Sequence, residues 1–285
     1  MTGKAAEVLP IPAVRNFRRV CRAGGICYSG TASRAVPDCR PTLKRARRMV
    51  PLWHFGTMLV SLAVGTALSQ TAPLTHIGDI AVSPVTQRVE AEAMVFDGTH
   101  PRFSGIGDAA AQKRLNARMA EWEKEALART KAAAVTMRDD DRSEQRKAEG
   151  VFSYEVKRNS GGVVSLLFSE YQYAGGANGL DVKTGLTFFT DSGSLLKLPG
   201  LFSNSEEGLR QVNALIRAQL RERGLESQLL VSDPEVDQEA PFYLTDTALV
   251  IVVPELTWFP HVLGTVEFSL PFSQFSNCLR AEFQS

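Results

Sequence analysis

The sequence predicts an α+β protein, in which two amphipathic helices pack on an antiparallel β-sheet meander and the chain forms two sequential subdomains. Three observations predict this class. A long helical stripe of apolar residues follows a first strand-like segment, and a run of alternating strands with tight turns comes next. A second amphipathic stripe then precedes two further apolar strands, an order typical of helices laid on antiparallel sheet.

Charge separates the beginning of the chain from the rest. Residues 1–48 contain eleven Lys and Arg against two acidic residues, a net charge of +9, whereas the remainder carries −8. This basic leader predicts either a disordered segment or a start codon assigned too far upstream. A basic stretch followed by an acidic domain favours a targeting signal ahead of a folded domain.

An export signal is predicted at 49–69. Lys44 to Arg48 supply a basic flank, and residues 49–77 contain no Asp, Glu, Lys or Arg. The apolar centre ends in small residues at Ala67-Leu68-Ser69, which favours cleavage after Ser69. The protein is therefore expected to be periplasmic, cell-surface or secreted. The alternative is an uncleaved anchor at 49–69, which would make a single-pass membrane protein with its C-terminal domain outside.

The first elements of the domain follow a linker at 70–84. Residues Val85 to Phe96 alternate as a strand, and Asp97-Gly98 predicts the turn that ends it. Asp108 is placed to cap a long helix. Its buried stripe, in which apolar residues recur at three- and four-residue intervals, comprises Leu115, Met119, Trp122 and Ala126.

Strands dominate from Val151 onward. Alternation over Val164 to Ser169 and again over Val182 to Phe188 predicts neighbouring strands, which pair antiparallel because no crossover separates them. Ser203 with Glu206 forms a capping box for a second helix that Gly224 ends. The buried stripe of this helix is Leu209, Val212, Ile216 and Leu220. Residues 248–253 are apolar on both faces and predict a central strand, followed by a strand over Thr265 to Leu270.

A glycine-rich turn, Gly175-Gly176-Ala177-Asn178-Gly179, joins two of these strands and resembles a known family. It is similar to the Gly-Gly-Ala-His-Gly turn of the extracytoplasmic domains in the anti-sigma-V factor RsiV and at the non-catalytic end of the peptidoglycan deacetylase PdaC. Ordered matches also begin at His100-Pro101-Arg102-Phe103, Thr187-Phe188-Phe189, Leu198-Pro199-Gly200 and Phe242-Tyr243-Leu244. The resemblance implies a PdaC-like N-terminal subdomain over 85–190 and an RsiV-like C-terminal subdomain over 191–279.

The sequence predicts that the chain is not an enzyme. It has no Gly-x-Ser-x-Gly, His-Glu-x-x-His or phosphate-loop motif. A zinc centre using His100 and His261 lacks local ligand spacing, so no metal and no cofactor are predicted. The glycine turn carries Asn178 where the family has histidine, so no acid–base or metal chemistry is transferred to it. An envelope polysaccharide hydrolase or deacetylase with an unrecognised site is the alternative.

The expected function is that of an exported binding or sensing domain. Its ligand would be a cell-envelope component, such as a cell-wall glycan, or a cationic protein such as lysozyme, which the similar domain of the anti-sigma factor binds. The net charge of −8 on residues 49–285 suits a cationic partner, although a net negative charge equally serves solubility. No nucleic acid is expected as a partner, and a membrane only if the 49–69 segment stays uncleaved.

The candidate binding residues lie in two loops. Exposed backbone amides beside aromatic rings are suited to contact a sugar or a protein loop. Tyr171 and Tyr173 share one side of their strand, and the alternative is that both rings cover the long helix. Trp258 and His261 either form a second contact or plug the end of a core. The candidates are Tyr171, Tyr173, Gly175, Gly176, Asn178, Gly179, Trp258 and His261; Asn178 is also suited to a left-handed turn position.

Overall fold

The computed structural model describes residues 75–76, 79–138, 146–275 and 277–284. The predicted leader and signal segment, residues 1–69, lie outside this part. Nine strands and two α-helices are described: β1 (Thr75–His76), β2 (Ala81–Ala91), β3 (Met94–Ser104), α1 (Ala109–Arg138), β4 (Ala148–Ser160), β5 (Val163–Tyr173), β6 (Leu180–Phe189), α2 (Ser205–Glu222), β7 (Phe242–Leu244), β8 (Ala248–Val253) and β9 (Val266–Pro271).

The strands form two sheets. One has the order β1-β2-β3-β4-β5-β6, and the other has the order β7-β8-β9. Helix α1 packs on the larger sheet and α2 packs with the smaller one, each over its own apolar core. This arrangement confirms the predicted α+β class with two helices and two subdomains.

Strand direction follows the connections between the strands. The β4-β5-β6 meander is antiparallel, as predicted from its short turns. The pair β3-β4 is parallel, because the 30-residue helix α1 between them supplies the crossover that parallel pairing needs. The larger sheet is therefore mixed.

The prediction of one strand over Val85–Phe96 is wrong. A hairpin occupies this region, with β2 and β3 joined by a tight turn at 92–93, which carries neither glycine nor proline. The predicted turn residue Gly98 instead lies inside β3. A Cβ at this position would come within 2.6 Å of Glu123 Oε1 and of the Phe96 ring. A glycine is therefore needed here because both side chains pack closely against the backbone of β3. The segment predicted as a linker, 70–84, includes β1 and the first residues of β2.

Helix α1 begins and packs as predicted. The Asp108 carboxylate accepts hydrogen bonds from the backbone N–H groups of Ala110 and Ala111, at 2.8 and 3.1 Å. These bonds lower the pKa of Asp108 because they favour its charged form. The predicted stripe is buried against β3, β4 and β5, and the Trp122 ring lies 4.6 Å from that of Phe168 in β5.

Helix α2 has a different N-cap from the predicted one. The Asn204 side chain accepts the bond from the Glu207 N–H at 3.1 Å, so Asn204 and not Ser203 caps the helix. Ser203 Oγ instead donates to the Cys278 carbonyl. Gly224 follows the helix with φ of 65°, as expected for a glycine that ends it.

The small sheet lies against the face of the larger sheet that α1 leaves open. Leu167 of β5 packs with Tyr243, Val250 and Val252 in a separate apolar cluster. The Leu244 N–H donates to Ser165 Oγ at 2.7 Å, which fixes β7 across β5. Strand β4 takes part in the same contact, because Lys157 Nζ lies 5.2 Å from the centre of the Tyr243 ring.

Candidate binding site

The glycine turn is held by the strand that enters it. Gly175 and Gly176 take φ of 93° and 91°, a left-handed conformation that glycine reaches without steric cost. The Tyr173 hydroxyl donates to the Gly176 carbonyl at 3.0 Å. Arg146 Nη1 donates to both the Tyr173 hydroxyl and the Gly176 carbonyl, at 2.9 and 3.1 Å. Tyr173 is buried, so it acts as the anchor of the turn.

Tyr171 lies closer to the surface than Tyr173. Its half-buried ring covers Gly179, where a Cβ would come within 2.4 Å of the ring atoms. Burial raises the pKa of Tyr171, and the nearby Glu149 carboxylate adds to the effect. Both rings also contact the core beneath α1, the arrangement considered as the alternative for this pair. A ligand could reach the Tyr171 ring edge and the exposed Asn178 at this turn.

The second candidate loop joins β8 to β9. Trp258 is 9% exposed and its ring lies 6.2 Å from that of Phe268, so it belongs to the C-terminal core. His261 is partly exposed and its Nδ1 pairs with Glu255 Oε1, whose side chain is only 3% exposed. His261, not Trp258, is therefore the predicted residue that this loop presents to solvent.

A buried glutamate brings the two predicted loops together. Glu255 Oε2 accepts a hydrogen bond from the backbone N–H of Asp181 at 3.1 Å. Asp181 is the second residue of β6, and its carboxylate accepts a 2.6 Å bond from Ser169 Oγ. The glycine turn and the β8-β9 loop thus lie side by side at one junction between the subdomains.

Apolar side chains project from this junction. Val262 is 84% exposed, Leu256 is 49% exposed and Leu230 is 58% exposed. Leu230 adjoins the loop, because its N–H donates to the Trp258 carbonyl at 2.8 Å. We call Leu230, Leu256, His261 and Val262, together with the glycine turn, the junction surface.

Leu256 has a strained backbone. Among the described residues, Leu256 is the one non-glycine residue with a positive φ, 61°. A bulky side chain at this backbone angle costs conformational energy. Asn178 does not have a positive φ, so the left-handed conformation considered for it is wrong. Strain of this kind persists where surrounding contacts impose it, here beside the buried Glu255.

Reasoning from sequence missed Glu255, Asp181, Leu230, Leu256 and Val262. A glutamate that follows the fully apolar strand β8 after Pro254 is a visible signal for a buried charge at a strand end. The Asp181 contact uses a backbone N–H, which no residue type reveals. The exposure of the three apolar residues depends on how the loop leaves the core, and their identity alone would have placed them inside.

His100 is held away from this surface. Its Nδ1 lies 2.5 Å from Glu123 Oε2, beneath α1, and the Glu123 side chain is 4% exposed. The two histidines considered as zinc ligands thus pair with different glutamates in different subdomains. Over the described ranges, no three His, Cys, Asp or Glu side chains form a group that could hold a metal ion.

The Tyr173 anchor leads to a prediction. Tyr173→Phe is expected to lower the free energy of unfolding by about 1 kcal/mol, because the bonds to Gly176 and Arg146 are lost. Urea unfolding followed by circular dichroism measures the change. Tyr171→Phe is the matched control and should change the value by less than about 0.5 kcal/mol. Equal losses in the two variants would contradict the anchoring role.

Comparisons with known proteins identify two regions. Residues 88–181 match the family model described as Deacetylase PdaC, and residues 200–273 match that of a protein family of unknown function, DUF3298. No curated protein matches the chain significantly. Among the described helices, none is long and apolar enough to span a membrane.

Solved structures agree with these matches. A DUF3298 family member from Bacteroides fragilis superposes with a TM-score of 0.55 at 14% identity, covering 72% of this chain and 95% of that one. A DUF3298 family protein from Pseudomonas aeruginosa gives a TM-score of 0.51 at 15% identity, covering 74% of this chain and 97% of its own. At these identities the likeness concerns the fold. The chain therefore carries a PdaC-like region followed by a DUF3298 region, which confirms the family resemblance predicted from its sequence.

Proposed function

We propose that the chain is exported and acts outside the cytoplasm as a non-catalytic binding or sensing domain that uses the junction surface. The observation that carries the proposal is the Val262 side chain, 84% exposed on a loop that the buried Glu255 ties to the other subdomain. An apolar group held on a rigid support costs little entropy to bind, which is what a recognition surface requires.

The strained Leu256 supports the same function. Strained residues tend to occur at ligand-contacting positions, where the fold tolerates a stability cost. Leu256 follows Glu255 directly, so the loop presents its side chain from a fixed point. The half-exposed Leu256 and the largely exposed Val262 form a small apolar contact beside the polar His261, as in the centre and rim of a protein interface.

The charge beside the surface favours a cationic partner. Residues 226–239, which contain Leu230, hold five acidic residues and no basic ones. Arg217 and Lys197 each pair with one of these carboxylates, Asp233 and Glu239, and three remain on the exposed segment. A basic protein such as lysozyme fits this charge, with an uncharged cell-wall glycan as the other ligand to be tested.

Titration with lysozyme at low and physiological salt tests the proposal. We expect saturable binding that weakens as salt rises, because the acidic segment contributes through screened attraction. Val262→Ser should weaken binding about tenfold or more through loss of an exposed apolar contact. Leu256→Gly should weaken binding as well, yet keep or raise the free energy of unfolding because the backbone strain is relieved.

Val135→Ser supplies the matched control. Val135 is 63% exposed on the solvent side of α1, whereas the buried Met137 is the residue of this helix end that packs beneath Gly175, so replacing Val135 should leave affinity unchanged. The same titration with soluble peptidoglycan fragments tests the glycan. Absence of saturable binding to both ligands, or equal affinity in the Val262 and Val135 variants, would refute the proposed surface. Release of soluble products from peptidoglycan would show a catalytic function instead.

A further inference from the structure

Strand β2 has a long edge without a partner strand in the described part of the chain. On one side β2 pairs with β3 along its whole length. On the other side, among the residues that the structure describes, it pairs with β1 only at Ala81 and Val82, so within that part of the chain residues 83–91 form a free edge. Backbone N–H and C=O groups on such an edge are able to pair with another strand.

The apolar core is incomplete along this edge. Val89, Ala91 and Ala93 pack against the core beneath α1, yet each is only partly buried. Another strand beside β2 would cover these side chains on the helix side of the sheet. The free edge therefore has both unpaired backbone groups and apolar surface to bury.

Charges on the other face of the edge are self-complementary. Arg88 and Glu90 lie on the same face of β2 and pair with each other at 3.7 Å, while Arg88 also pairs with Asp97 and Glu90 with Lys147, both at 3.4 Å. Their side chains nevertheless stay 62% and 56% exposed, so both charges remain open to a second copy. If two copies pair antiparallel about a twofold axis at Val89, Arg88 of each copy faces Glu90 of the other. Oppositely charged side chains directly across two antiparallel strands stabilise the pair.

We propose that two copies of the chain associate through the free edges of β2, with the twofold axis at Val89. Residues 87–91 of the two copies then pair, which joins the two larger sheets into one continuous sheet with α1 of each copy on the same side. Two Arg88–Glu90 contacts form across the axis, and the Val89 residues of the two copies lie directly opposite each other. This association is independent of the junction surface, which lies at the opposite end of the strand order, beside β6.

Charge reversal tests the register. Sedimentation equilibrium of the purified protein over a range of concentrations should show a monomer–dimer equilibrium. Arg88→Glu should raise the dissociation constant about tenfold or more, since two attractive contacts become repulsive. Adding Glu90→Arg should restore most of the affinity. Lys183→Glu makes the same charge change on β6 and should leave the equilibrium unchanged.

A disulfide tests the axis and does not depend on the charge variants. Cα atoms of directly opposite residues in antiparallel strands lie about 5 Å apart, within reach of a disulfide. Val89→Cys should therefore form a covalent dimer on mild oxidation. Gln87→Cys is the control, because its two copies would lie about 13 Å apart. Cys278 is buried and should not interfere, and Cys21, Cys27 and Cys39 are replaced by serine in both variants so that no other disulfide forms.

Three results would overturn the proposal. The first is a monomer at every concentration, which is expected if another segment covers the edge. The second is a dimer whose dissociation constant Arg88→Glu leaves unchanged. The third is equal cross-linking of the Val89→Cys and Gln87→Cys variants. Circular dichroism of each variant checks that it is folded. If Arg88→Glu does not fold, the two cysteine variants decide.

Discussion

Replacing Trp122 with alanine is expected to lower the free energy of unfolding by about 3–5 kcal/mol. Trp122 is 6% exposed and lies at the centre of an aromatic group, with its ring 5.5 Å from that of Phe152 and 4.6 Å from that of Phe168. These phenylalanines belong to β4 and β5, so the tryptophan attaches α1 to the middle of the sheet. Its removal would leave a cavity that the close-packed strands cannot fill.

A second substitution on the same helix provides the comparison. Val135→Ala removes apolar atoms from a side chain that is 63% exposed, and it should change the free energy of unfolding by less than about 0.5 kcal/mol. Urea titration followed by far-ultraviolet circular dichroism reports on both variants without relying on tryptophan fluorescence. A loss below about 1 kcal/mol for Trp122→Ala would mean that α1 does not depend on this contact.

Helix α1 shows what the sequence predicts well. The spacing of Leu115, Met119, Trp122 and Ala126 places them on one face, and all four are buried. Local signals sufficed because the helix repeats every 3.6 residues and its cap is a single side chain, Asp108. The central strand β8 was predicted for a similar reason, since apolar residues on both faces require burial on both faces.

The β2-β3 hairpin shows where the sequence is insufficient. Its turn at 92–93 has no glycine, whereas Gly98, read as a turn signal, lies mid-strand because Glu123 of α1 fills the space beside it. The reason for this glycine comes from a residue 25 positions away, so no local pattern reveals it. The same applies to Asn204, which caps α2 one residue after the predicted Ser203.

The candidate site was predicted in its parts but not in its assembly. The glycine turn and the Trp258–His261 loop were recognised separately, and only the structure joins them, through Glu255 and the Asp181 N–H. Burial then divides the predicted residues. Tyr173 and Trp258 lie in cores, whereas Asn178 and His261 reach the surface. The sequence cannot make this division, because an aromatic residue in a loop serves either purpose.

The contact between the two subdomains depends on a glycine in β6. Gly185→Ala is expected to lower the free energy of unfolding by about 1–3 kcal/mol. A Cβ at this position would lie 2.3 Å from the carbonyl carbon and oxygen of Phe242, so β7 would have to move away from the larger sheet. That movement would also weaken the hydrogen bond from the Leu244 N–H to Ser165 Oγ. Urea unfolding gives the stability, and hydrogen exchange of the Leu244 amide should become faster.

Two further variants separate this clash from other effects of replacing glycine. Gly176→Ala meets no atom within 4 Å but has φ of 91°, so it should lose about 1 kcal/mol from backbone strain and leave exchange at Leu244 unchanged. Phe242→Ala removes a side chain and leaves the clashing backbone in place, so adding it to Gly185→Ala should not recover stability. Recovery in the double variant, or unchanged exchange at Leu244 in Gly185→Ala, would mean that β7 is not seated on β6 through this close backbone approach.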